Sequence, residues 1–194
     1  YVAEWSKPEL LFTRSYLSTY LRRWDMTRVN YAKQALMYMI HHKMYGTIYS
    51  KNTDAHGPFV ISAFADGSLM NESKSRSRVA RLVKMAGASV AAKTNKTTTV
   101  HLSSASVETE AACHAALDVV GIRHLLEEIG IWYNKPVVIY EDNQPTIQVA
   151  NNERSLADAG RHLETRNYKL SELVENESVI LTYMSTERQV ADLL

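Results

Sequence analysis

Cysteine is almost absent from this chain: the single Cys113 excludes an internal disulfide framework and a cysteine-based zinc site. No apolar run approaches the length needed to cross a membrane, so a reducing, soluble setting is expected. Prolines and glycines are few, four and seven respectively, and there is no low-complexity segment or internal repeat. Charged residues make up only 22% of the chain, and the formal net charge is +1. What is present is enough apolar material, 45% of 194 residues, to bury the core of one globular domain with an appendage. The chain opens at Tyr1 without a signal-like segment, and it reads as a piece of something longer.

The near-neutral total hides an asymmetry. Residues 1–102 carry 15 Lys and Arg against 6 Asp and Glu, whereas residues 103–194 carry 7 against 15. Such a split can simply solvate a surface. It also suits a chain that holds phosphates on a basic part against a chemical centre on an acidic part.

Apolar residues at helical spacing predict two helices, over 8–23 and 27–47, with a break near Trp24 and Asp25. Their aromatic and basic residues, among them Tyr20, Arg22, Arg23, Arg28 and Tyr31, either fill a core or face nucleic acid. A polar, turn-rich linker spans 50–57. The period then changes to that of strands: 59–65 ending at Asp66, 78–84, and 88–93 across an Ala86-Gly87 turn. Residues 97–102 extend this meander or lead into the next element, a long helix over 106–129 that Gly130 closes. Further elements are a strand over 136–140, a short helix over 145–151, a helix over 161–174, a strand over 179–184 and a final helix from Thr186. Three strands, a helix, a strand, helices, a strand and a helix imply an α/β chain with a mixed sheet and helices on its faces.

Four carboxylates stand at the boundaries of these elements: Asp66, Glu110, Asp142 and Asp192, on strand, helix, strand and helix in turn. A single Asp in such a place is often only a cap. Their surroundings are more specific. Phe64-Ala65-Asp66-Gly67-Ser68, Leu102-Ser103-Ser104 with Glu108-Thr109-Glu110-Ala111, Tyr140-Glu141-Asp142-Asn143-Gln144 and Gln189-Val190-Ala191-Asp192-Leu193-Leu194 together resemble the RNase H domain of Ty1/copia-type retrotransposon polyproteins. The N-terminal helices resemble the segment that joins reverse transcriptase to RNase H in that family, and Arg161-His162-Leu163-Glu164 resembles one of its helices.

The resemblance implies an RNase H-like α/β fold, a mixed five-stranded sheet flanked by helices and preceded by a two-helix N-terminal extension. Residues 1–50 would form the helical connection segment and 51–194 the nuclease domain. It also implies an endonuclease that cuts the RNA strand of RNA/DNA hybrids during reverse transcription, using two Mg²⁺ ions that Mn²⁺ can replace. Asp66, Glu110, Asp142 and Asp192 would be both the catalytic carboxylates and the metal ligands, Asp66 and Asp142 being shared between the ions. Glu108 competes with Glu110, since residues two apart on a helix point about 200° apart and only one can face the sheet; the family pattern favours Glu110. Asn143, Gln144, Arg76, Arg78, Lys93 and His162 are the candidate substrate contacts, although Asn143 and Gln144 also suit helix capping and His162 a packing role. The implied partners are the hybrid and the reverse transcriptase domain of the same polyprotein, with no membrane. The implied location is a cytoplasmic particle or the nucleus.

Three places depart from the family. Ser77-Arg78-Val79-Ala80-Arg81 places two charges in a strand, and Ala91-Ala92-Lys93-Thr94 and Ala111 lack expected aromatic residues, which predicts looser packing near the site. A domesticated, inactive scaffold is therefore the alternative to an active nuclease, and a DNA-cutting enzyme of the same fold is a more distant one.

Overall fold

The computed structural model describes residues 2–50, 60–72, 76–151 and 164–194. Its centre is a five-stranded sheet in the order β3-β2-β1-β4-β5. The strands are β1 (Ile61–Glu72), β2 (Arg76–Met85), β3 (Ala88–Lys96), β4 (Val137–Glu141) and β5 (Val179–Tyr183). β1, β2 and β3 form an antiparallel meander. β4 and β5 then add in parallel beyond β1. The β2–β3 turn is tight because Ala86 and Gly87 both take positive φ, 53° and 75°, the conformation whose twist suits a two-residue hairpin. The expected mixed sheet with flanking helices is what forms.

Two apolar layers cover the sheet. On one face, Ala63, Ala65, Val79 and Val83 pack against Val107, Ala111, Ala115 and Val119 of α4 (Ser104–Glu128). The small alanines let the helix lie close to the strands, so the absence of aromatics here shortens the separation and leaves these residues fully buried. On the other face, Phe64, Ala80, Leu82 and Ala92 pack against Ala3, Leu11, Ala191 and Leu194. Ala3 belongs to α1 (Val2–Trp5) and Leu11 to α2 (Leu11–Thr19), so the N-terminal extension supplies part of this second layer. It is followed by α3 (Met26–His41), whose N-cap Asp25 accepts a hydrogen bond from the Arg28 amide at 2.9 Å. The remaining helices are α5 (Gln144–Ala150) and α6 (Glu164–Glu175).

Several expectations need correction. β1 does not end at Asp66 but continues to Glu72, with an irregularity in its pairing to β2 between Ser68 and Glu72. No helix follows β5: the chain makes two 3₁₀ turns, Thr186–Arg188 and Val190–Leu193, separated by the extended Gln189. Residues 97–103 join neither the sheet nor α4. The 50–57 linker, the proposed boundary at residue 51 and the start of the 161–174 helix lie largely outside the described residues. No helix among the described residues is long and apolar enough to cross a membrane.

Candidate active site

The site is built where β1 and β4 run side by side. The parallel register pairs Phe64 with Tyr140, so two residues further on it brings Asp66 and Asp142 level, although they are 76 positions apart in the chain. Glu108, in the second turn of α4, completes the group: one carboxylate oxygen each from Asp66, Glu108 and Asp142 lie within 4.8 Å of one another. Ser103 caps α4 by accepting from the Ser106 amide at 3.2 Å, which fixes where the helix starts. Gly67 fixes how close it comes. A Cβ on Gly67 would stand 2.8 Å from the Glu108 amide nitrogen and from the Val107 carbonyl carbon, so only glycine lets the start of α4 touch β1 here. Gly67→Ala is therefore expected to destabilise the chain by about 1 to 3 kcal/mol, read by melting.

This placement corrects the sequence reading of the helix. Glu110 does not face Asp66. It points to the opposite side of α4, where Arg166 Nη1 lies 2.7 Å and His101 Nε2 2.9 Å from Oε2, and His114 Nε2 lies 3.6 Å from Oε1. Burial alone would raise its pKa, but the hydrogen bond from His114 and the positive charges of Arg166 and His101 outweigh that and hold it below the usual value. Glu110 is thus a structural counter-ion that ties the loop before α4 and the α6 helix to the core. A signal for this was present in the apolar stripe: Glu108 is in helical phase with Ala111, Ala112 and Ala115, whereas Glu110 is in phase with Cys113 and His114.

A second carboxylate missed by sequence reasoning is Glu141. It follows Val137 and Ile139 on the inward side of β4 and is fully buried, in a position that alternation assigns to the core. Its carboxyl lies against that of Glu108, and each acts on the other's ionisation. Its Oε1 also accepts from the Asn143 amide at 3.3 Å. Four negative groups in so small a space disfavour ionisation. Burial, reinforced by the charges of Asp192 and Asp142, raises Asp66 to about 6. Burial, with Asp66 and Asp142 beside it, raises Glu108 to about 8. Burial and the neighbouring Glu108 push Glu141 well above the usual carboxylate range.

The C-terminal turns hold this arrangement in place. Thr186 donates from Oγ1 to Asp142 Oδ2 at 2.7 Å. The amide of the buried Gln189 donates to the carbonyls of Ala65 at 2.8 Å and Tyr140 at 3.2 Å, clasping the two strands just before their aspartates. Gln189 Oε1 accepts from the Ala191 amide at 3.4 Å, which sets the turn carrying Asp192. Asp192 itself is exposed and lines one cleft with Asp66, outside the tight group of three.

The basic candidates divide. Arg78 is buried, with its guanidinium 5.1 Å from the Phe12 ring centre and bonded to Ser15, so it pins α2 to the sheet and does not project into solvent. Arg81 faces the other way and binds Asp118 of α4 at 2.6 Å. These pairings explain how two charges fit inside β2. Arg76 donates to the Thr98 carbonyl, while Lys93 is exposed on β3. Asn143 caps α5 by accepting from the Thr146 amide at 3.2 Å, and Gln144 is exposed at the helix start. His162 lies outside the described residues.

Comparison with known proteins bears on the fold. The chain has the ribonuclease H-like fold. It superposes on LC11-RNase H1, isolated from compost by a metagenomic approach, with a TM-score of 0.54 at 12% identity, covering 69% of this chain and 90% of that one. The N-terminal RNase H domain of Rv2228c from Mycobacterium tuberculosis gives 0.53 at 12% identity, covering 69% and 88%. LC11-RNase H1 in complex with an RNA/DNA hybrid also gives 0.53, at 11% identity, covering 68% and 91%. In sequence, the chain is similar to the Retrovirus-related Pol polyprotein from transposon TNT 1-94 of Nicotiana tabacum, 24% identical over 136 residues. That match takes in 70% of this chain and 10% of the polyprotein, so the chain spans about a tenth of the length of the curated relative it matches. No family model matches. The expected likeness to the RNase H domain of a retrotransposon polyprotein is met in fold and in sequence.

Proposed function

We propose that this chain is a divalent-metal-dependent endonuclease that hydrolyses the RNA strand of RNA/DNA hybrids, as the RNase H part of a Ty1/copia-type polyprotein acting within the cell alongside its reverse transcriptase. The observation that carries the reading is the convergence of Asp66, Glu108 and Asp142 on neighbouring elements of a ribonuclease H-like fold. Buried carboxylates are normally paired with cations or hydrogen-bonded, and a cluster facing mutual repulsion has a chemical reason to exist as a metal site. One oxygen of Glu108 and one of Glu141 are buried without a hydrogen-bond partner, which fits an all-oxygen donor set for a hard cation.

Asp66, Glu108 and Asp142 would hold the metal, with Asp192 at the rim of the cleft. A pair of ions such as Mg²⁺, or Mn²⁺ in its place, would supply an activated water and neutralise charge at the phosphate. The chain's own contribution is positional. Thr186 orients the Asp142 carboxylate, Gln189 fixes the spacing of the two strands, and Glu141 props Glu108 from below. The hybrid would be told from DNA by its 2′-hydroxyls and duplex shape, with little dependence on base sequence.

The test is cleavage of a labelled RNA strand annealed to DNA, with Mg²⁺ or Mn²⁺, beside the Asp142→Asn variant and a DNA/DNA duplex. Cutting of the hybrid alone, lost without metal and in the variant, is the expected outcome. A folded chain that cuts nothing would replace this reading with that of an inactive scaffold.

A further inference from the structure

We propose that the aromatic row of α2 is a binding site for unpaired nucleotides that continue from the nuclease cleft, an inference that rests on the nuclease reading above. Phe12, Tyr16 and Tyr20 recur every four residues and therefore lie along one side of the helix. Their rings follow one another at centroid distances of 6.2 and 5.1 Å, and Tyr31 of α3 stands edge-on to Tyr16 at 6.1 Å. These rings do not form a core: α3 buries none of its residues, α2 buries only Leu11, and Phe12 is 47% exposed.

The position of the row gives it a purpose. Phe12 and Tyr16 form one wall of the cleft of about 280 Å³ whose other side holds Asp66 and Asp192. The same two rings also border a groove of about 720 Å³ between α2 and α3, lined further by Tyr31 and Tyr38. Cleft and groove therefore meet at Phe12 and Tyr16, and a strand lying along Asp66 and Asp192 would pass onto the row.

The occupant follows from chemistry. Residues 1–50 carry seven Lys and Arg against three Asp and Glu, and seven of the chain's eleven tyrosines. Arg28, whose guanidinium is paired with Asp25, lies 4.2 Å from the Tyr20 ring centre at the far end of the row, and Arg22 and Arg23 are close to it in the chain. Aromatic faces interleaved with cations suit bases and phosphates of a single strand, because unpaired bases expose the π-faces that a duplex hides within its own stack. Arg78, under Phe12, holds the row in place from the sheet side.

Fluorescence anisotropy in the non-cutting Asp142→Asn background tests this with a blunt RNA/DNA hybrid and with hybrids carrying a short single-stranded extension at either end of either strand. At least one extension is expected to tighten binding by about fivefold or more, and this gain should vanish when Phe12, Tyr16 and Tyr20 are changed to Leu. Leucine keeps the apolar contacts, and melting curves confirm the fold. Trp132→Leu, at an exposed ring that lines neither the cleft nor the groove, should leave the gain intact. An extension without effect, or a gain that survives the triple change, overturns the inference. Cleavage of the blunt hybrid by the unmodified chain separates the two readings: if it is cut and extensions add nothing, only this inference fails, and if no hybrid is bound or cut, both do.

Discussion

Glu108→Gln is expected to reduce metal-dependent hybrid cleavage by more than about 100-fold, since loss of a carboxylate ligand exceeds the 10- to 100-fold cost of disturbing a ligand's supporting partner. The amide keeps the size of the side chain but removes the charge that would meet the cation, and because burial and the neighbouring carboxylates already disfavour the charged form of Glu108, a neutral side chain is easy to accommodate. Stability should therefore hold or rise. Glu110→Gln is expected to do the reverse. It leaves Arg166 without its counter-charge and takes the carboxylate away from His101, at a cost of about 1 to 3 kcal/mol, kept below that of a fully buried pair because Arg166 is itself 38% exposed. The melting temperature should fall by several degrees while turnover at low temperature stays close to normal. A chain in which Glu110→Gln abolishes cutting and Glu108→Gln does not would reverse the assignment of the helix.

Binding of Mn²⁺ or Mg²⁺ is expected to stabilise the folded chain, and to do so far more at pH 8 than at pH 5. Asp66 is raised to about 6 and Glu108 to about 8. The folded chain thus keeps protons that the unfolded chain, with carboxylates near 4, has already released. Where the folded state binds more protons, stability falls as pH rises. The metal-free chain should therefore lose stability steadily between about pH 4 and pH 8. A divalent ion competes with those protons and relieves the repulsion directly, so its benefit grows over the same window. At 100 times its dissociation constant an ion contributes about 2.7 kcal/mol, which for a chain of this size corresponds to a rise of about 5 to 10 °C. Calorimetry at the two pH values, repeated with Asp142→Asn, checks this. Equal shifts at both pH values, or an undiminished shift in the variant, would place the ion elsewhere.

The unusual strands take on a different meaning in the folded chain. Charges at Arg78 and Arg81 suggest a weakened sheet when β2 is read alone. Each instead leaves the sheet on its own face and finds a partner there, Phe12 and Ser15 for one and Asp118 for the other. Of the alanines that stand where aromatics are expected, Ala111 is fully buried between α4 and the sheet, where a larger ring would hold the helix away from the site, and Ala92 packs on the opposite face beside Phe64 and Leu82.

The amino-acid sequence by itself determined the order of the five strands and the place of the long helix α4, though not the length of β1 or the 3₁₀ turns after β5, because periodicity and capping are local. Strand patterns marked the cores of β1 to β5, a break between helices was legible near Asp25, and Gly130 marked a helix end. It also singled out Asp66 and Asp142 among its four carboxylates, since both stand in distinctive motifs, the one on β1 and the other just after β4. The choice between Glu108 and Glu110 was legible in the helical phase of Ala111, Ala112 and Ala115, yet motif likeness pointed to the other residue. Only the tertiary structure decided the rest: the parallel register that levels Asp66 with Asp142, the buried Glu141 beneath Glu108, the Gln189 amide that bridges β1 and β4, and the placing of α2 against the cleft. These depend on contacts between residues far apart in the chain, where one side chain's role is set by what another segment brings to it, and no local pattern carries that information.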